Sequence, residues 1–452
     1  ASSRLFIADS YHHRLVVTDL QGNLQTVIGR GVPGAADGPF ETASFDQPQG
    51  MALHDGMLYV ADTGNHLLRR IDLQRRLVQT VAGTGEKARV FNVPGIGRAV
   101  PLNSPWDVYQ QGQYLYIAMA GMHQLWRMDL RTSYVEPFSG TGREDLIDEV
   151  HTEAALGQPS GLTGDGQRLY VADSEVNAVR AASLDPDGTL ATLAGGGLFT
   201  FGDQDGRGDA VRLQHPLGVA YANGVVYVAD TYNHKVKQLD LRSRQIQTLA
   251  GAGSAGHRDG ALEQAQFYEP GGLSVSGGRL YIADTNNHTI RVIDLATQRV
   301  LTLVVRGLTA PAIVTSEPTT PDYIEVVRLE EQALPATMSA TLRIALELTA
   351  DWKINAAAPA SLVIKSEGEG VQVPTRYANR TLRPLASEFT VPLQVAEDGT
   401  RSLLRVDLTF VVCRAGDQGI CALQQVAWEV PVLSQTQATQ SEVILPYAVV
   451  PF

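Results

Sequence analysis

The stretch Leu280-Tyr281-Ile282-Ala283-Asp284-Thr285-Asn286-Asn287-His288-Thr289-Ile290-Arg291-Val292-Ile293-Asp294 sets two apolar runs on either side of a polar turn. Both runs are rich in β-branched and aromatic residues, and the second alternates apolar with polar side chains, so the stretch predicts a β-hairpin. Its first five residues recur as Leu5-Phe6-Ile7-Ala8-Asp9, Leu58-Tyr59-Val60-Ala61-Asp62, Leu115-Tyr116-Ile117-Ala118-Met119, Leu169-Tyr170-Val171-Ala172-Asp173 and Val226-Tyr227-Val228-Ala229-Asp230. Successive copies lie 53, 57, 54, 57 and 54 residues apart. Fourteen residues before the last residue of each copy from the second onward stands a proline, Pro48, Pro105, Pro159, Pro216 and Pro270, usually with a glycine two residues later and then a short apolar strand. A further strand closes every unit, as in Thr80-Val81-Ala82-Gly83 and Thr248-Leu249-Ala250-Gly251. Four short strands per unit, six units and no helical period predict a radial array of sheets, a six-bladed β-propeller over residues 1–307.

The polar turn reads Asp62-Thr63-Gly64-Asn65-His66 in the second unit and Asp284-Thr285-Asn286-Asn287-His288 in the sixth, with weaker copies at His13, His123 and His234. These turns resemble the NHL repeat. A histidine recurring once per repeat is expected to make a turn-stabilising hydrogen bond, and no metal site is implied. His12, His54, His151, His215 and His257 show no metal-ligand spacing of the HExxH kind. The third unit has Met119-Ala120-Gly121-Met122 in place of the polar turn, so its turn must use other chemistry. Between units run long connections, roughly residues 29–47, 84–104, 140–158, 195–215 and 251–269. Structureless connections of that length are uncommon and often functional, and a propeller sends them all to one face. That face is the expected binding surface, with Arg143, Glu144, Asp145, Asp148 and Glu149 set against Arg89 and Arg98.

Bulk composition narrows the function classes. Of 452 residues, 44% are hydrophobic and 19% charged, ordinary for a globular chain, and the formal net charge is −12. A field of that sign repels phosphate backbones and anionic lipid, so neither nucleic acid nor membrane is an expected partner. No run approaches the roughly 18 apolar residues of a spanning helix, and Ala1 to Asp9 lack a signal-peptide layout. Gly195-Gly196-Gly197 closes a strand without leading a helix, and Walker, Rossmann and CxxC patterns are absent, so no cofactor is expected. Asn379-Arg380-Thr381 is a sequon at chance level. The two cysteines leave the compartment open; the cytoplasm is favoured over an extracytoplasmic location.

The first unit has only eight residues ahead of Asp9, too few for the proline-led inner strand. The expectation is that this strand comes from a segment upstream of residue 1, with Thr309 to Val314 as the other source. After Leu303 the repeat ends, and a linker at 308–322, containing Glu317-Pro318-Thr319-Thr320-Pro321, precedes a domain at 323–452. There Leu342, Ile344, Leu346 and Leu348 alternate with Arg343, Ala345, Glu347 and Thr349, and Leu404, Val406, Leu408, Phe410 and Val412 alternate likewise. Half-buried strands of this kind, seven or eight in number, predict an immunoglobulin-like β-sandwich. Cys413 and Cys421 bracket the turn Arg414 to Ile420. Period-two parity sets Cys413 with Arg405, Asp407 and Thr409, and Cys421 with Gln425 and Glu429, so both thiols face outward. The pair is read as a cross-strand structural disulfide, as two free thiols, or as a redox couple.

The whole chain resembles the propeller and C-terminal parts of the thioredoxin-like, NHL-repeat-containing proteins. Leu5-Phe6-Ile7-Ala8-Asp9 with His13-Arg14, the Gly-x-Gly connections and Asp351-Trp352-Lys353-Ile354-Asn355 to Pro359 carry the resemblance. The last stretch and the cysteine hairpin are also similar to the N-terminal domain of the DsbD thiol reductase, whose redox cysteines sit on an immunoglobulin-like hairpin. Those resemblances imply an upstream thioredoxin-like domain and assign the redox role to Cys413 and Cys421. The leading expectation is a non-enzymatic scaffold that binds a protein or peptide on its long-loop face. A thiol–disulfide exchange partner using Cys413 and Cys421 is the alternative. A lyase or hydrolase in the propeller channel ranks last. NHL repeats also occur in peptidyl-amidoglycolate lyases, but the strand entrances at Pro48, Trp106, Ser160, Leu217 and Gly271 show no converging His or carboxylate set.

Overall fold

The structure, a computed structural model, describes residues 3–90, 92–309, 325–349, 352–355, 360–382, 384–414 and 421–449. The chain divides into two compact units, Ala1–Val314 and Thr315–Phe452. The linker proline run, Ala415 to Ile420, Asp351 and residues 356–359 lie outside the described residues, as do residues 310–314.

The first unit contains six antiparallel sheets, one for each sequence repeat. Sheet two shows the plan: Pro48–His54 innermost, then Met57–Asp62, Leu67–Asp72 and Leu77–Ala82. Its outermost strand also pairs with Gly38–Pro39, which belongs to the connection ahead of the sheet. Sheets three to six repeat this, taking Gly95–Ile96, Glu149–Val150, Gly206–Arg207 and Gly260–Ala261. The connections are therefore not structureless. An outer strand would otherwise present a row of unpaired N–H and C=O groups, and two residues of the incoming chain cover part of it.

Sheet one has three strands among the described residues, Arg4–Asp9, Arg14–Asp19 and Leu24–Ile28. At its outer edge Arg306 bonds Gly22 and Leu24. On the other side Arg14 Nη1 donates to the Thr309 carbonyl at 3.3 Å, and residues 310–314, one of the two expected sources of a further strand, lie outside the described residues.

Cores form between neighbouring sheets. Tyr59, Ala61 and Leu68 of sheet two pack with Val108, Leu115 and Ile117 of sheet three in one cluster, and sheets five and six share another around Tyr227, Phe267 and Leu280. The glycine two residues after the inner-strand proline is explained by these contacts. A Cβ at Gly161 would lie 2.6 Å from the Leu217 carbonyl oxygen, and one at Gly218 would collide with the Gly271 carbonyl. Bare backbone lets inner strands approach this closely.

Each turn between the second and third strands ends on a left-handed residue, His13, His66, His123, Asn177, His234 or His288, with φ between 50° and 56°. In sheet three, the turn Ala120–Met122 keeps that geometry and buries Met119 and Met122.

The second unit holds two sheets around one apolar core. Ser339–Leu348 pairs with Glu388–Val395 and, in parallel, with Glu442–Val449. In the other sheet, Arg401–Arg414 and Cys421–Gln435 form a long hairpin that also pairs with Ala360–Gly368 and Trp352–Ile354. The alternation read from sequence places Leu342, Ile344, Leu404, Val406 and Val412 fully inside. Trp428 fills the centre and donates its indole N–H to the Pro446 carbonyl at 3.0 Å.

Candidate functional site

The recurring histidines bond across sheets. The Nδ1 of His66 accepts the N–H of Ser104 at 3.0 Å, that of His234 accepts Glu269 N–H at 3.2 Å, and that of His13 accepts Gln47 N–H at 3.3 Å. In sheet four the Oδ1 of Asn177 takes the N–H of His215 at 2.9 Å, and His123 bonds the Gly157 carbonyl. Gln47, Ser104, His215 and Glu269 each precede an inner-strand proline and have φ between 47° and 53°. The turn of one sheet thus grips the chain as it enters the next. Hydroxyls add to the grip: Ser10, Thr63 and Thr231 donate to the carbonyls of Pro48, Pro105 and Pro270 at 2.6–2.8 Å.

Beneath these turns lies a charged network that the sequence reading did not find. Arg69 is fully buried, with Nη1 on Asp62 at 2.6 Å and on the Ser44 carbonyl, and Nη2 on Asp37 at 3.0 Å and on the Ala36 carbonyl. Arg180 repeats the set with Asp173 and Asp148, and Arg291 with Asp284 and Asp259. Sheet five uses Lys237 on Asp203 and Asp205. Asp37, Asp148, Asp205 and Asp259 also accept the N–H and hydroxyl of Thr80, Thr192, Thr248 and Thr302. Asp148, expected among the charges of the binding face, is committed to this internal network. The signal was in the sequence: each second carboxylate precedes its cation by 32 residues.

The connection before sheet five, its turn and the chain entering sheet six carry aromatic side chains that stay outside. Phe199 is 91% exposed, Phe201 58% and Tyr232 46%. Tyr232 stacks on His215 with ring centres 4.7 Å apart, while Asn233 bonds the Gly202 carbonyl and Tyr268 packs edge-on against His234. Phe45, Phe267 and most aromatic rings of the strands are buried. An exposed group of aromatic rings is the usual signature of a contact surface.

Among the inner strands, Asp107 is the carboxylate that sequence reasoning passed over. It stands at the position where the other inner strands carry glycine, against Gly50 of sheet two. Burial pushes its carboxyl up to about 7, although the backbone N–H groups of Leu162 and Val108 bond it at 2.7 and 2.8 Å. Those bonds make Asp107 a strut between sheets three and four. No group of three or more His, Cys, Asp or Glu residues that could hold a metal occurs among the described residues.

In the second unit Cys413 is disulfide-bonded and stands opposite Cys421, the chain's other cysteine, in the hairpin register. Cys413 is half-buried on the face of Arg405, Asp407 and Thr409, as parity required. Lys353 is its cross-strand neighbour on the other side.

The NHL repeat family matches residues 213–239 and 267–293. NHL repeat-containing protein 2 of Bos taurus is 35% identical over 98% of this chain and 67% of its own length; the Homo sapiens protein is 34% identical with the same coverage. The Arabidopsis thaliana protein SUPPRESSOR OF QUENCHING 1, chloroplastic, is 37% identical over 98% of this chain and 43% of its own length. Among solved structures, a chain of a nidogen/laminin complex is similar over 66% of this chain and 91% of its own, at 15% identity and a TM-score of 0.44. Virginiamycin B lyase from Staphylococcus aureus is similar over 66% of this chain and 80% of its own, at 11% identity and 0.41. With its repeated sheets, its histidine turns and these relatives, the chain belongs to the NHL-repeat propeller proteins, as a homologue of NHL repeat-containing protein 2.

Proposed function

We propose that this protein is a binding scaffold: its six sheets act as the blades of one propeller that captures a protein or peptide on the loop face. The exposed aromatic side chains Phe199, Phe201, Tyr232 and Tyr268 carry this reading, because large rings held outside, with Tyr232 stacked on His215, give contact area at low entropic cost. The test is selection of a displayed 12-residue peptide library on the whole chain, followed by titration against F201A/Y232A. Selected peptides are expected to bind the wild type and to lose at least about tenfold in affinity on the variant, the scale of about 1.4 kcal/mol. Absence of enrichment, or equal binding to both proteins, overturns the reading.

In this proposal the second unit, 323–452, is an immunoglobulin-like sandwich joined through 308–322 to a propeller at 1–307, and in a longer chain it orients an upstream thioredoxin-like domain. A second reading is favoured by the register of Cys413 opposite Cys421: a disulfide on the outward face of a hairpin can exchange with a thiol partner. Alkylation and mass spectrometry across a glutathione series tests it. Exchange near about −180 to −280 mV supports the redox role, and a disulfide still intact well below that range removes it. Channel catalysis as a lyase or hydrolase has least support, since Asp107 is already held by two backbone N–H groups.

A further inference from the structure

The connection before sheet three reverses the charge of the other four. In residues 84–104 Lys87, Arg89 and Arg98 oppose Glu86 alone. Residues 29–47 carry one cation against three carboxylates, 140–158 one against five, 195–215 two against three and 251–269 one against three. All three cations before sheet three are exposed; Arg98 lies 3.6 Å from Asp37, and Lys87 and Arg89 make no ion pair among the described residues. The same connection leaves apolar side chains outside. Ile96 is 64% exposed and Tyr134, its cross-strand partner on the outer strand Tyr134–Ser139, is 40% exposed, with Val90 and Val93 exposed as well. At the corresponding cap position the other sheets pair Pro39 with Leu77, Val150 with Thr189, Arg207 with Gln245 and Ala261 with Arg299, so among these five pairs only that of sheet three is apolar and exposed on both sides. The difference has a cause in the sequence. Pro94 takes the place, one residue ahead of the cap, from which Asp37, Asp148, Asp205 and Asp259 reach a buried cation.

Exposed apolar side chains accompanied by charge mark a contact surface, and tyrosine and arginine are the residues such surfaces favour. We infer that Ile96, Tyr134 and Val93, with Arg89 and Arg98 of the same connection, form a docking surface for an acidic peptide segment of another protein, one that alternates carboxylates with apolar side chains. The apolar side chains of that segment cover Ile96 and Tyr134, and its carboxylates meet the arginines. Charge complementarity favours this occupant over two others. A second copy brings a formal charge of −12 of its own, and Asp37, Asp148, Asp205 and Asp259 of its connections are already held by buried cations. An anionic lipid surface is repelled by the same net charge, which three cations do not reverse. Apolar burial supplies the affinity here, while the exposed cations set the encounter rate and its response to salt. The surface belongs to a different connection from Phe199 and Phe201, so it stands whether or not those rings bind a peptide.

The experiment titrates the 452-residue chain into a rhodamine-labelled octapeptide that alternates glutamate with leucine, and follows anisotropy. Saturable binding is expected, at least about tenfold tighter than for the lysine–leucine and glutamate–serine versions of the peptide. It is expected to weaken as salt rises from about 0.01 to about 0.15 M, since the Debye length falls from about 30 to about 8 Å. I96S/Y134S changes two exposed side chains at the outer edge and is expected to melt with the wild type and to bind at least about tenfold more weakly at either salt. K87E/R89E is expected to lose the salt dependence. F201A/Y232A is expected to bind as the wild type does, which separates this surface from the aromatic side chains before and within sheet five. No saturable binding, equal binding of the lysine–leucine peptide, equal binding to I96S/Y134S, unchanged salt dependence in K87E/R89E or loss of binding in F201A/Y232A overturns the inference. So does a dimer of the wild type that I96S/Y134S abolishes, which gives the surface to a second copy, or co-sedimentation with phosphatidylserine vesicles that the same variant abolishes, which gives it to lipid.

Discussion

Sheets two and three solve one packing problem in opposite ways. At the position facing the sheet seam, sheet two buries Arg69 between Asp62 and Asp37, with Thr80 as its cross-strand neighbour. Sheet three has Trp126 there, with Met119 for the first aspartate, Pro94 at the sequence position of the second, and Pro137 for the threonine. The Met119 sulfur accepts the N–H of Asn103 at 3.4 Å, as Asp62 accepts that of Asp46, and Gln124 links the Trp126 indole to Asn92 and the Gly140 carbonyl. Both versions support the same strand register and the same turn. A buried ion pair and a well-packed apolar group are close in stability because desolvation consumes most of the Coulomb attraction. The cost is visible in the carboxyls: burial pushes Asp62 and Asp230 up to about 6 despite their cationic neighbours. The Nε groups of Arg69, Arg180 and Arg291 also lie buried without a hydrogen-bond acceptor. What the charged version adds is a fixed position for the connection, since Asp37 ties residues 36–44 to strands 67–72 and 77–82.

The comparison can be broken most directly by removing one partner. Arg180→Met leaves Asp173 and Asp148 as uncompensated charges and is expected to destabilise by about 3–5 kcal/mol in denaturant unfolding; a loss under about 1 kcal/mol would show that the network is not needed. The exchange of whole sets sharpens it. D37P/D62M/R69W/T80P, which writes the sheet-three solution into sheet two, is expected to fall within about 2 kcal/mol of the wild type, far above Asp62→Met alone. The smallest effect concerns the Asp107 strut. Its carboxyl titrates near 7 in the folded chain and in the usual carboxylate range when unfolded, so the folded state holds the extra proton between those values. Stability from this group is therefore present at low pH and is lost as pH rises towards 7. The melting temperature of Asp107→Asn is expected to lack that component of the wild-type decline between pH 5 and 7.5.

The repeat was legible because its markers are local: the apolar run, its aspartate and the histidine four residues on lie within one hairpin, and the proline sets the phase. The alternation in Leu342–Leu348 and Leu404–Val412 was as plain, since period two and one buried face leave no second assignment. The charged network escaped because its parts sit in different elements, and Asp37 or Asp259 reads locally as one more polar residue before a glycine. Only the constant interval from Asp37 to Arg69 and from Asp259 to Arg291 gives it away. The aromatic group was hidden for a different reason: nothing in Phe199-Thr200-Phe201 says that these rings stay outside while Phe45 and Phe267 go in. Exposure is a property of the assembled rim.

The two-residue strands at the outer edges carry a last consequence. Repeated sheets with outer edges offer neighbours in a crowded cell a series of templates for cross-molecular pairing, and each capped edge denies them one. Because the caps are drawn from the connections, loop variation in this protein is constrained at Gly38–Pro39, Gly95–Ile96, Glu149–Val150, Gly206–Arg207 and Gly260–Ala261 even where the rest of each loop is free to change. Insertions on either side of those dipeptides are expected to be tolerated, whereas deletions that remove them uncover the outer strands and are expected to promote aggregation.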